Sequence, residues 1–263
     1  MKPSWRIDVA IADYAIVRDD PFKVFCFKKD EAGGRRVLKA LQDTLALYSK
    51  WFGPLRGTRG FTLIEIPDGW GSQTDVTSIT QTAAAFQSDE GVPELYHEVA
   101  HLWNVASRDA APCRVESEGF ATFMQYMAQE YLQDKRGAIQ ANADRFIEQL
   151  RGTYERDPRL AAVPMIRYGE EKLTDHSYTK GMVFFALLHA LIGKDAFHRI
   201  VGAHYEKHAE SGATSDEFFN TCRSIGAEKV DRLIDEWIYG ERASERILKG
   251  MTFQQLVDLY RGS

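Results

Sequence analysis

The sequence predicts an α+β fold: a lobe with a mixed sheet over about residues 1–90, then a mainly helical lobe over about 91–263, together forming one domain. Three observations carry this. Residues before about 82 fall into short β-rich runs broken by turn residues. From Val92 onward apolar residues recur every three or four positions. Strands come first and helices after, which excludes alternating βαβ units. The chain has 263 residues, 44% of them hydrophobic, enough to bury one large core.

The elements follow in order. "RIDVAIADYAIV" and "FKVFCFK" alternate as two strands, with "RDDP" as the turn between them. A helix is expected over 34–52, where Val37, Leu41, Leu45, Tyr48 and Phe52 share one face. "FTLIEI" (61–66) is a third strand, "PDGWGSQTD" a glycine-rich loop and "VTSITQT" a fourth strand. Helices are expected near 92–105, 116–133, 137–155, 177–192, 195–209, 214–224, 226–239 and 252–261, with Thr214 and Thr252 as N-caps. "RASERILKG" (242–250) reads as a loose tail.

Composition excludes several function classes. A net charge of -5 offers no basic footprint for nucleic acid. No apolar run reaches bilayer length; the longest, "MVFFALLHALIG", is interrupted by His189 and suits a buried helix. The N-terminal segment lacks the apolar core and cleavage site of a signal peptide. The expected location is therefore cytoplasmic, for a whole protein or for a domain cut from a longer one. Cys26, Cys113 and Cys222 are too few and too scattered for a disulfide framework and are expected to be inert thiols.

The chemistry concentrates in "PELYHEVAHLWNVAS". His97 and His101 are four apart, so on a helix both imidazoles share a face and can bind one ion. Glu98 follows the first histidine and can take a proton from a water beside the metal, the mechanical content of H-E-x-x-H. A catalytic zinc also needs a third protein ligand and an open position. Glu116 and Glu118, in "RVESEGFATFMQYM", are the candidates, Glu118 the better one, with Glu116 suited to a helix N-terminus.

"HEVAHLWN", "ESEGFATFMQYM" and "SYTKGMVFFALLHALIG", in that order, resemble the gluzincin zinc metallopeptidases. The resemblance is to the catalytic domain of the membrane alanine aminopeptidase and leukotriene hydrolase family. "HLWN" is also similar to the glycyl aminopeptidase family. The resemblance spans roughly residues 20–240 and implies a thermolysin-like domain, with one Zn2+ per chain in the cleft between the lobes. It implies that His97, His101 and Glu118 are metal ligands, that Glu98 is the catalytic base, and that Tyr178 hydrogen-bonds the oxyanion. The implied activity is hydrolysis of peptide bonds in a peptide or protein substrate by a zinc-activated water.

The chain departs from that family in three places. The interval from His101 to Glu118 is shorter than usual, a trimmed loop at "VASRDAAPCRV". Ser117 replaces the asparagine before the third ligand. The family's G-x-M-E-N segment, whose glutamate grips a substrate's amino group, is replaced by "GWGSQTD", with Ser72 at the glutamate's place and Asp68 and Asp75 as nearby acids. Gly71, Ser72 and Gln73 are expected to form a substrate-binding edge to which an extended peptide adds as a strand. Aminopeptidase and endopeptidase both remain open. The alternative to an enzyme is a catalytically silent, peptidase-like binding module of a larger protein.

The other polar residues have plainer readings. His176 is expected at the surface, His189 in the core, and His198, His204 and His208 on a solvated face. Trp103 and Phe120 are expected to pack the two metal-bearing helices together. Thr122 could hydrogen-bond a ligand from behind, and Lys180 is expected to snorkel or to pair with an acid.

Overall fold

A computed structural model describes residues 9–57, 60–75, 77–226 and 228–262. Residues 5–8 of the expected first strand lie outside these. Pairing begins later than expected, at β1 (Tyr14–Asp19), which lies antiparallel to β2 (Phe22–Phe27). Val9 and Ile11 are exposed, so nothing there stabilises an extended strand. After α1 (Glu31–Phe52) come β3 (Thr62–Ile66), β4 (Gln73–Thr74) and β5 (Ser78–Thr82). The sheet order is β1-β2-β3-β5-β4; β2, β3 and β5 are parallel, and both outer strands are antiparallel. The two-residue strand β4 therefore forms an edge.

One face of the sheet buries Val24, Leu63 and Ile79 in the same core as Val37, Leu41 and Tyr48 of α1. A short helix, α2 (Ala84–Gln87), leads to α3 (Pro93–Ala100) and a 3-10 turn, His101–Trp103. Every α3 residue from Leu95 to Ala100 is buried, because the helix lies in the seam between the lobes. Tyr48 ties that seam together: its hydroxyl lies 3.2 Å from the carbonyl oxygen of Tyr96 and 3.1 Å from that of Met124. Glu94 fastens α3 to the sheet by accepting from Thr82 at 2.6 Å and Gln81 at 3.3 Å.

The helical lobe continues with α4 (Phe120–Leu132), α5 (Ala138–Arg156), α6 (His176–Ile192), α7 (Lys194–His208), α8 (Ser215–Gly226), α9 (Glu228–Ile234), α10 (Arg242–Leu248) and α11 (Phe253–Arg261). Thr252 caps α11 in a reciprocal box with Gln255. Thr214 and Glu217 exchange equivalent bonds before α8.

Four expectations are corrected here. Residues 242–250 are not a loose tail: α10 buries Ala243 and Ile247, and Arg151 of α5 donates to the Ile247 carbonyl at 2.9 Å. His198, His204 and His208 are buried, not solvated, because α7 packs that face against α1 and α8. His198 stacks on Trp51 at 4.7 Å, and burial lowers the pKa of His198 and of His204 to about 4, so both pack as neutral rings. The expected 116–133 helix is α-helical only from Phe120; Val115–Gly119 is a wider π-helical turn. Lys180 is fully buried, donating to Ser244 of α10 at 3.0 Å. All three cysteines are buried free thiols. Among the described residues no helix is long and apolar enough to cross a membrane.

Candidate active site

The site occupies a cleft of about 400 Å³ lined by Ser72, Gln73 and Thr74 of the sheet edge, His97, Glu98, His101 and Asn104 of the α3 segment, and Arg114, Glu118 and Tyr178. A regular turn puts His97 and His101 on one face of α3. Their Nε2 atoms stand 3.1 Å apart. Oε2 of Glu118, from the π-helical turn, lies 3.3 Å from His97 Nε2 and 3.4 Å from His101 Nε2. Such wide turns tend to occur at functional sites, because they re-aim a side chain within a helix.

Two carboxylates border the imidazole pair, and their hydrogen bonds separate them. His97, Glu98 and His101 offer donor atoms within 4.8 Å of one another. The Glu98 carboxylate, however, is engaged: Thr74 Oγ1 lies 2.7 Å from its Oε2 and 2.7 Å from the Glu98 main-chain oxygen. The Glu118 carboxylate is split. Oε1 pairs with the Arg114 guanidinium, whereas Oε2 is buried without a hydrogen-bond partner and faces both imidazoles. Three potential metal-donor atoms thus converge, each within 3.4 Å of the others, an arrangement that suits a cation. Two imidazoles and one carboxylate with an open side are a donor set that fits zinc.

The electrostatics agree with that division. Burial pushes the Glu98 carboxyl above the usual range, while His101, His97 and Thr74 pull it down. At Glu118 burial also works against the charge, but the close imidazoles of His101 and His97 and the charge of Arg114 hold the carboxyl far below its ordinary value. Burial, with the negative charge of Glu118, pushes the Tyr178 phenol up to about 12. Its O–H therefore stays protonated as a donor. The Tyr178 ring lies parallel to His97, centroids 6.0 Å apart, and the Arg114 guanidinium carbon lies 6.0 Å from the Tyr178 ring centroid.

The remaining expectations place as follows. Ser72 and Gln73 line the cleft, and Gly71, at φ 73°, turns the chain into the edge strand. The Ser72 hydroxyl is occupied by Gln81 and by the Thr82 main-chain N–H, both at 3.0 Å. Asp68 accepts from the Ala84 N–H at 3.0 Å, and among the described residues the cleft lining contains neither Asp68 nor Asp75. Glu116 turns away to accept from Ser215 at 2.8 Å. Thr122 bonds the main-chain oxygen of Glu118 at 2.7 Å, not its carboxylate. Trp103 is pinned by Gly53 O at 3.0 Å and by the rings of Tyr48 and Phe52.

Thr74, Asn104 and Arg114 went unnoticed in the sequence. Spacing alone could have flagged two of them: Asn104 lies three residues after His101 and Arg114 four before Glu118, separations at which side chains can meet across one turn.

A histidine pair on a helix in the seam between a sheet and a helical lobe, faced by a carboxylate from the next helix, is the architecture of a metallopeptidase. Residues 75–237, more than half of the chain, match the Peptidase family M1 domain, and the chain belongs to that family. It is 22% identical to Aminopeptidase M1-A of Oryza sativa subsp. japonica over 78% of this chain and 25% of that protein. It is 23% identical to Probable aminopeptidase 2 of Sulfurisphaera tokodaii over 78% of this chain and 28% of that protein. The chain thus spans about a quarter of the length of these curated relatives. Among solved structures, an M1 zinc metallopeptidase from Deinococcus radiodurans superposes with a TM-score of 0.60 at 20% identity, covering 86% of this chain and 50% of that one. A mutant of the Deinococcus enzyme bound to a Tyr-Ser-Ala substrate superposes with a TM-score of 0.59 at 19% identity, over 85% of this chain and 50% of that one. These likenesses carry the fold: α+β with thermolysin-like lobes.

Proposed function

We propose that this chain is a zinc-dependent metallopeptidase hydrolysing peptide bonds, with an aminopeptidase-like site that lacks the family's amine-binding motif and so also accepts blocked peptides. In this reading His97, His101 and Glu118 hold one zinc ion, Glu98 is the base and Tyr178 the oxyanion donor. The observation that carries it is the partnerless Glu118 Oε2 facing two imidazole nitrogens, while the Glu98 carboxylate beside it is held by Thr74.

When bound, zinc supplies Lewis acidity, making water a nucleophile near neutral pH and drawing charge from the scissile carbonyl. Glu98 takes the proton of the attacking water and passes it to the leaving amine. Its burial raises its basicity for the first transfer, and Thr74 fixes its direction. The Tyr178 O–H donates to the oxygen that gains charge. Gly71, Ser72 and Gln73 present the substrate edge. Of the lining carboxylates, Glu98 is held by Thr74 and Glu118 is turned to Arg114 and the two imidazoles, so a substrate's ammonium is left with neutral acceptors such as the Gln73 amide oxygen. A free N-terminus is then preferred only modestly. A silent binding module would need neither a held base nor a protonated tyrosine.

The test is zinc content together with cleavage of paired fluorogenic peptides, one with a free N-terminus and one acetylated. One zinc per chain, cleavage of both with the free peptide faster, and loss of turnover with zinc retained in Glu98→Gln are expected. No zinc after reconstitution would sink the metal reading. Zinc without cleavage would leave the binding module, and cleavage of the free peptide alone would place a strong amine grip elsewhere.

A further inference from the structure

We propose that Asn104 is a positioning residue for the metal centre: its amide oxygen accepts the Nδ1–H of His101 and so leaves the Nε2 lone pair for the ion. This rests on reading His101 as a ligand.

A neutral imidazole carries one proton and one lone pair. A ring that offers Nε2 to a metal must carry its proton on Nδ1, and the partner of that N–H selects the tautomer and aims the ring. His101 Nε2 faces His97 and Glu118, while Nδ1 lies 2.7 Å from the terminal amide of Asn104. The two ends of an amide are nearly the same size, and the bonding around them decides which end faces a neighbour. With Nδ2 toward the ring, Asn104 Oδ1 is buried and has no partner. Turned over, the amide sets Oδ1 against Nδ1–H, and one contact satisfies both groups. Asn104 also borders a cavity of about 20 Å³ shared with Glu116 and His204, whose Nδ1 has no partner either. That is room for one water, to which the amide's N–H can donate.

The backbone holds this arrangement. Asn104 ends the 3-10 turn in an extended conformation (φ -69°, ψ 148°), and its own N–H donates to the His101 carbonyl at 3.0 Å. Both its main chain and its side chain thus return to His101. The preceding Trp103 is buried against α1, which keeps the short loop in one place. Ser117 is not a competing partner, since its hydroxyl turns to the Arg114 carbonyl at 3.2 Å.

The experiment measures the zinc dissociation constant of the full chain by chelator competition, with the visible spectrum of the cobalt-substituted form as a second readout. Asn104→Leu removes the acceptor at similar volume and should weaken zinc binding about 10- to 100-fold, with an altered cobalt spectrum. Asn104→Asp keeps an acceptor and should bind as tightly as the native chain or more tightly, with the native spectrum. If the leucine variant does not fold, Asn104→Ala carries the same expectation. Binding within twofold of native in the leucine or alanine variant would overturn the proposal, as would equal weakening by aspartate and leucine. A native chain that binds no zinc would instead remove the ligand reading on which the proposal stands.

Discussion

Gly119 and Gly181 meet backbone against backbone: a Cβ on either would stand 2.8 Å from the other's Cα. Gly119 follows Glu118 directly, and Gly181 lies three residues beyond Tyr178 on α6. This contact therefore sets the distance between the candidate third ligand and the candidate oxyanion donor. Gly119→Ala should force the π-helical turn and α6 apart, costing about 1–3 kcal/mol of stability. It should also lower kcat at saturating zinc. Denaturant unfolding and steady-state kinetics check both; an unchanged midpoint would mean that the two backbones part at little cost.

Thr74 ties the sheet edge to Glu98, the candidate base, with both bonds at 2.7 Å. Thr74→Val keeps the shape of the side chain and removes the hydroxyl. Zinc content should stay at the native level while kcat falls by about 10- to 100-fold, less than the 10²–10⁴-fold that a positioned base itself is typically worth, since the carboxylate remains. A fall in zinc content instead would show that Thr74 supports the metal and not the proton transfer.

Tyr178 is a protonated donor throughout the working range, because its phenol titrates only near 12. Tyr178→Phe should lower kcat by about 10²–10³, with KM changed far less, as for loss of one oxyanion donor. A change confined to KM would assign Tyr178 to substrate binding alone.

Lys180 shows the opposite perturbation. Burial lowers its ammonium from 10.5 to about 7, with Glu241 acting in the other direction. Below pH 7 the lysine is charged in both folded and unfolded chains, and the fold bears the whole burial cost. As pH rises from about 7 to 10.5 the folded chain loses the proton first, and the cost is progressively relieved. Lys180→Met should therefore raise the thermal midpoint most below pH 7, and the gain should shrink as pH approaches 10.5. A gain independent of pH would mean that the ammonium is not the source of the cost.

The histidine pair was legible because i, i+4 spacing and a helical pattern are local properties, and Glu98 comes with the pair. The alternation of the strands and the apolar face of α1 were equally local. Thr74 and Lys180 were not legible, since their roles depend on which distant segment meets them. Thr74 acts only because β4 pairs at the edge next to α3. Lys180 finds its partner only because α10, packed on α5, brings Ser244 to it, and that helix itself read as a tail in the sequence. The histidines of α7 show the same limit: "HYEKH" is polar in sequence, yet the face carrying His204 and His208 is buried against α8.

The sequence by itself therefore determined the donor types, their spacing on α3, and the order of strands before helices, because hydrophobic period and helical geometry act over a few residues. The tertiary structure decided the surroundings of the two carboxylates: Glu118 faces both imidazoles, and Glu98 is held by a hydroxyl. Glu98 and Glu118 are the same residue type, and only the partners that packing brings to each, Thr74 for one and Arg114 with two imidazoles for the other, give them different work.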